Sequence, residues 1–153
     1  MKRANLFFVI FALFWLAACG SNSDAPAAPQ ESAYFLSHDK IIDINGVNVR
    51  YREEGPASAQ TLVMIHGFTS SLETWDALAD NLTADYRVIR LDLPGHGLTG
   101  PDPRERYTNE ETVIFLEHFL SAIEVDAPVL IGNSLGGLAA WRAAAKSPEL
   151  ASK

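Results

Sequence analysis

Cysteine is almost missing from this 153-residue sequence: Cys19 is the only one, so no disulfide can close within the chain. Basic residues are the minority, 12 Lys and Arg against 19 Asp and Glu, for a net charge of −7. Phosphate binding needs clustered Lys and Arg, so this balance argues against a nucleic-acid partner. No apolar run reaches the roughly 18–20 residues of a membrane-spanning helix. Internal repeats are absent, and so is any collagen-like or disordered bias. What remains, 48% hydrophobic and 20% charged residues, is the composition of a globular domain. The length suits one ordinary domain but is short for a large α/β enzyme, which often runs to roughly 200–250 residues.

The first 18 residues read as an address. Lys2 and Arg3 form a basic start, Leu6 to Leu16 is unbroken apolar sequence, and small Ala17 and Ala18 follow. This is the secretory signal pattern. Leu16-Ala17-Ala18-Cys19 resembles the lipobox of bacterial lipoproteins, which implies that Cys19 is lipidated and becomes the mature N-terminus. The alternative is an ordinary cleaved signal followed by a free thiol. Cleavage before Cys19 removes Lys2 and Arg3 and leaves 10 basic against 19 acidic residues, a net −9. Gly20, rather than an acidic residue, follows the cysteine and resembles cargo sent on to the outer membrane, so the expected location is the periplasmic side of the cell envelope. Residues 19–33 hold the lipidated cysteine and a Ser-, Ala- and Pro-rich tether without periodicity. Residues 34–153 are the expected domain.

From residue 40 the pattern becomes regular. Ile42 and Ile44 alternate with polar residues, Asn45-Gly46 supplies a tight turn, and Val47, Val49 and Tyr51 resume the alternation, which predicts a β-hairpin. Leu62–Ile65, Val88–Leu91 and Val129–Ile131 are short, nearly continuous apolar runs, suited to parallel strands buried on both faces. Between them, Trp75, Leu78, Ala79 and Leu82 have helical spacing. Thr108 with Glu111 forms a possible capping box before Val113, Leu116, Leu120 and Ile123. Leu135 to Lys146 favours helix, and Ser147-Pro148 ends it. Alternation of strand and helix predicts an α/β fold: a mostly parallel sheet with flanking helices, preceded by the hairpin.

Three strand ends carry chemistry. Gly132-Asn133-Ser134-Leu135-Gly136 follows one predicted strand and opens a helix, the setting in which a serine is thrust out as a nucleophile. Gly132 and Gly136 remove side chains that would collide across so sharp a turn. A serine capping a glycine-rich turn is the plainer reading of the same residues. His66-Gly67-Phe68 follows an earlier strand, and Asp92-Leu93-Pro94-Gly95-His96-Gly97 the next.

Together HGF, DLPGHG and GNSLGG resemble, in order and spacing, the α/β-hydrolase fold family over about residues 40–150. The resemblance implies strand order 1-2-4-3-5 and no metal or organic cofactor. It implies Ser134 as nucleophile and the backbone N–H groups of Phe68 and Leu135 as the oxyanion hole. His66, Gly67, Gly132 and Gly136 are implied as structural motif residues, while His96 and Asp92 belong to a structural loop. His118, on the helix before the fifth strand, is expected to be a surface or packing residue, and His38, before the first strand, to be incidental. The expected function is hydrolysis of ester or acyl bonds in a small-molecule substrate, with the membrane reached through lipid on Cys19. Carbon–carbon bond hydrolysis and acyl transfer are alternatives on the same fold, as is a non-catalytic, membrane-tethered pseudoenzyme. Serine rather than aspartate at 134 argues against epoxide hydrolases and haloalkane dehalogenases, whose nucleophile is a carboxylate.

The family supplies an acid and then a histidine from later strands. The residues after Ser134 include Glu149 but no histidine. A serine hydroxyl without an adjacent base is a poor nucleophile, so the chain is expected to be an N-terminal portion with negligible turnover of its own, and its fifth strand an open sheet edge.

Overall fold

The computed structural model describes residues 32–148. The signal segment, Cys19, most of the tether and Glu149 lie outside the described residues. The domain opens with a hairpin, β1 (Asp39–Ile44) and β2 (Val47–Glu54), whose turn places Asn45 at φ 54 and Gly46 at φ 88. Three strands follow, β3 (Thr61–Ile65), β4 (Arg87–Leu91) and β5 (Val129–Gly132). Interleaved with them are α1 (Asp76–Leu82), α2 (Asn109–Ala122) and α3 (Leu135–Lys146). The five strands form one sheet in the order β1-β2-β4-β3-β5. β3 lies parallel to β4 and to β5, whereas β2 is antiparallel to both of its neighbours. The expected α/β architecture and strand order are therefore observed.

Burial explains the continuous runs. Leu62–Ile65 and Val88–Leu91 are buried throughout, because α2 and α3 cover one face of the sheet and α1 the other. On the first face Val63, Ile65, Ile89 and Leu91 pack with Leu116, Phe119, Leu120, Ala139 and Ala143. On the second, Leu62, Met64 and Val88 pack with Ala79, Trp75 and Leu82. β5 is the sheet edge among the described residues, and its Val129, Leu130 and Ile131 are only half-buried. The capping box is present: Thr108 Oγ1 accepts from the Glu111 N–H and the Glu111 carboxylate accepts from the Thr108 N–H. The first helix departs from the pattern. Residues Leu72–Trp75 form a turn of 3-10 helix, α1 begins only at Asp76, and Leu78 is exposed. Trp75, at the end of the 3-10 turn, and Ala79 and Leu82 of α1 form the stripe that packs on the sheet, and Leu78 lies on its flank.

β2 buries charge as well as apolar side chains. Val47 and Val49 face the α2–α3 core, but Arg50 and Arg52 on the opposite side are also buried, as is Arg90 of β4. Buried guanidinium groups are tolerable only when paired. Arg50 Nε donates to Asp39 at 2.8 Å, its Nη1 to Asp92 at 3.3 Å, and its Nη2 to Glu73 and to the Tyr34 carbonyl. Arg52 pairs with Asp39 and Asp76, and Arg90 with Asp76 and Glu54. Burial opposes ionisation of Asp39, but its bonds from Arg52, the Leu36 N–H and Arg50 hold its carboxyl below the usual range.

Candidate active site

The parallel strands all end at one edge of the sheet, and the three motifs meet there. Ser134 is the hinge between β5 and α3, with φ 48 and ψ −112. That is a left-handed backbone conformation that a non-glycine residue adopts only when its surroundings impose it. The surroundings are visible. Asn133 N–H donates to the Ile65 carbonyl at 3.1 Å, tying the turn to the end of β3, and Gly136 N–H donates to the Asn133 carbonyl at 2.8 Å. A Cβ on Gly132 would overlap the Gly136 backbone, and one on Gly136 would overlap the carbonyls of Ile65 and His66. The turn closes only because both positions are glycine. Ser134 itself is exposed, at the N-terminus of a 12-residue helix whose dipole favours negative charge.

The loop after β3 passes directly alongside. A Cβ on Gly67 would stand 2.8 Å from Asn133 Oδ1 and 3.3 Å from Ser134 Cβ. Phe68 follows, 70% exposed. Leu135 is the first residue of α3. Among the described residues, the backbone N–H groups of Phe68 and Leu135 have no hydrogen-bond partner. Two free donors thus flank the serine.

His66 is fully buried and holds this loop to the next. Leu93 N–H donates to its Nε2 at 3.0 Å, so that nitrogen is the acceptor and Nδ1 carries the proton, which it donates to the Gly67 carbonyl at 2.7 Å. Burial pushes its pKa below the ordinary histidine value. The His96 ring lies 5.2 Å from that of His66 and 5.6 Å from that of Phe68. His118 is exposed and pairs with the Asn45 side chain at 2.6 Å, far along the hairpin turn. Among the described residues no histidine is hydrogen-bonded to Ser134.

Asp92 is the second tie, and its full reach was not apparent from sequence. Its carboxylate accepts from the Leu72 N–H at 2.7 Å and the Leu98 N–H at 2.9 Å, and it faces Arg50. The loops after β3 and β4 are therefore stitched through one side chain. Burial pushes its pKa up, despite the N–H groups and Arg50. An arginine facing inward at position 50 has no separate signature in a strand of alternating residues, so nothing in the pattern pointed to this link.

A cavity of about 490 Å³ opens beside the serine. Phe68, Leu93, His96, Tyr107, Phe115 and Leu135 line it, so both candidate oxyanion donors belong to residues of its wall. Ser134 itself is not on that wall. Tyr107 and Phe115 carry no signature in the sequence, because one sits in an irregular loop and the other on the flank of the α2 core stripe. Arg106, also on the wall, is held by Asp102 through bonds of 2.7 and 3.1 Å. Among the described residues no group of His, Cys, Asp and Glu is arranged to hold a metal ion.

Comparison with known proteins agrees with this geometry. Residues 60–153 match a family model described as alpha/beta hydrolase fold. The chain is 36% identical over 118 residues to the uncharacterized hydrolase YugF of Bacillus subtilis, covering 77% of this chain and 43% of that protein. It is 34% identical over 111 residues to the 2-hydroxy-6-oxo-6-(2'-aminophenyl)hexa-2,4-dienoic acid hydrolase of Metapseudomonas resinovorans, covering 70% and 36%. Among solved structures, a bacterial membrane phospholipase A superposes with a TM-score of 0.71 at 33% identity, covering 74% of this chain and 36% of that one. The chain spans less than half the length of these relatives.

Proposed function

This chain belongs to the alpha/beta hydrolase fold family, and from that premise we propose that it carries the nucleophile and oxyanion hole of a serine hydrolase acting on ester or acyl bonds. Ser134 Oγ attacks the acyl carbon, its proton passes to a general base, and the carbonyl oxygen becomes an oxyanion held by the N–H groups of Phe68 and Leu135. Collapse expels the alcohol, which takes the proton from the base, and leaves an acyl-serine. Water, deprotonated by the same base, then attacks the acyl-serine and releases the acid and the free serine. The observation that carries this reading is the imposed backbone of Ser134, φ 48 and ψ −112, with Gly67 packed against it. Such strain persists only where the surroundings over-determine it, and it clusters at reacting groups.

The general base lies outside the residues described: His66 has both ring nitrogens engaged, and no other histidine reaches Ser134 by hydrogen bond. The chemistry calls for neither metal nor organic cofactor. We further propose that Cys19 bears the lipid that anchors the protein to the cell envelope, on the periplasmic side of the outer membrane. Carbon–carbon bond hydrolysis is the second reading, favoured by the resemblance to the Metapseudomonas enzyme.

The test is labelling by an alkyl fluorophosphonate of the protein as isolated from its own cells. Stoichiometric modification at Ser134, abolished in Ser134→Ala, is the expected result. The 153-residue chain alone is expected to react at least about a thousandfold more slowly, since no histidine among the described residues is hydrogen-bonded to Ser134. Absence of labelling in the cell-derived protein overturns the catalytic reading in favour of a binding module.

A further inference from the structure

The point at which the chain joins the domain bears on where the substrate comes from. Tyr34, 77% exposed, sits beside Ser71, Gly97 and Leu98, residues of the loops that follow β3 and β4. Its carbonyl accepts from Arg50 at 3.1 Å. These are the loops that carry Phe68 and His96, so the tether reaches the domain at the end of the sheet where the site opens. Leu36 next to it is also exposed. On the other side of the Pro94–Leu98 loop stand Phe68 and Tyr107, 70% and 50% exposed, at the mouth of the apolar cavity. The opposite end of the sheet, where β4 begins, carries Asp85 and Tyr86.

Length decides the orientation. Thirteen residues, rich in Ser, Ala and Pro, separate Cys19 from Ala33, and a coil of that length has a mean reach on the order of 20 Å. A domain of about 120 residues has a radius of gyration of roughly 13 Å and so measures about 35 Å across. That mean reach is less than the width of the domain, so on average the point of attachment lies on the side nearest the membrane. Tyrosine rings with apolar neighbours are suited to the bilayer interface.

We propose that the site end of the sheet rests on the bilayer, with Tyr34, Phe68 and Tyr107 at its surface, and that the substrate is an acyl ester of a membrane lipid whose acyl chain enters the cavity between Phe68 and Phe115 from the bilayer. This rests on the lipid anchor at Cys19 and the nucleophile at Ser134 proposed above. The phenyl and phenol walls of the cavity suit an acyl chain, and its one guanidinium, Arg106, is already neutralised by Asp102.

The test uses the full lipidated chain reconstituted in phosphatidylcholine vesicles. Acylation occupies Cys19, the one cysteine of these 153 residues, so Tyr34→Cys, Tyr107→Cys, Asp85→Cys and Trp141→Cys, each compared with the unsubstituted protein carried through the same labelling, report an environment-sensitive fluorophore at the new thiol. Position 141 tests a second apolar surface among the described residues, where exposed Ile114 and Trp141 line one groove. Brominated phosphatidylcholine is expected to quench the labels at 34 and 107 at least twofold and to leave those at 85 and 141 unchanged. Bromine placed deep in the acyl chain should quench position 107 more than position 34. Equal or stronger quenching at 85 or 141 overturns the proposal, as does vesicle-bound protein quenched nowhere, or quenching at 107 that does not depend on bromine depth. If mass spectrometry finds no lipid on Cys19 in the cell-derived protein, the anchor and this orientation fall together. The fluorophosphonate labelling of Ser134 reports separately on the catalytic reading.

Discussion

Gly67 and Ser134 stand in contact: a single carbon added to Gly67 would lie 3.3 Å from Ser134 Cβ and 2.8 Å from Asn133 Oδ1. The loop bearing the Phe68 N–H and the turn bearing the serine are therefore positioned by each other, and neither has room to move toward the other. Gly67→Ala should push the two apart and misplace one oxyanion donor. Removing such a donor costs about 3 kcal/mol in a comparable enzyme. Fluorophosphonate labelling of the cell-derived protein should slow on the order of a hundredfold, with the circular dichroism spectrum unchanged. An unaltered rate would show that Phe68 is not a donor.

The strain at Ser134 makes a prediction of opposite sign for stability. Glycine adopts φ 48 without penalty, so Ser134→Gly should raise the unfolding free energy by about 1 kcal/mol while abolishing labelling. Ser134→Ala keeps the strained side-chain position and should lie within about 0.5 kcal/mol of the parent. Urea denaturation of the two variants side by side reads the difference. Equal midpoints would mean that the turn stores no strain.

His66 should make the domain lose stability in mild acid. Burial lowers its folded pKa below the unfolded value, so the neutral form is the one the fold favours. A lowered histidine contributes stability that is complete above the unfolded pKa, about 6.5, and is lost as pH falls toward the folded one. The raised carboxyl of Asp92 acts the other way: the fold favours its protonated form, and that contribution is lost as pH rises through its folded value. The urea midpoint should be lower at pH 5.5 than at pH 7 in the parent, and His66→Gln should flatten that slope. An identical slope in the variant would remove His66 as its source.

Arg50 holds Asp39, Asp92 and Glu73 at once from a buried position. Arg50→Met leaves two buried carboxylates without this partner and should cost about 3–5 kcal/mol. Adding Asp92→Asn should recover part of the loss, because the amide needs no counter-charge. Arg50→Lys should recover little, since an ammonium cannot reach three carboxylates in a planar fork. Urea midpoints, or the soluble fraction on expression where the single variant fails to fold, check the order.

Sequence alone determined what is local or periodic. Continuous apolar runs named the buried strands because a parallel sheet covered on both faces has no polar side. Asn45-Gly46 marked the hairpin because its turn needs positive φ, and Thr108 with Glu111 marked the start of α2 because helix N-termini need acceptors. Gly132 and Gly136 flagged the turn at Ser134 because no larger residue fits there. What tertiary structure decided is what depends on residues distant along the chain. Arg50, Asp39 and Asp92 look like ordinary strand and loop charges until the sheet brings them together. Tyr107 and Phe115 become one cavity wall only when α2 crosses the strand ends, and Leu78 is left exposed on the flank of the stripe by which α1 packs on the sheet. Backbone turns are written in neighbouring residues, whereas charge pairing and cavities belong to pairs of elements, and only packing chooses the pairs.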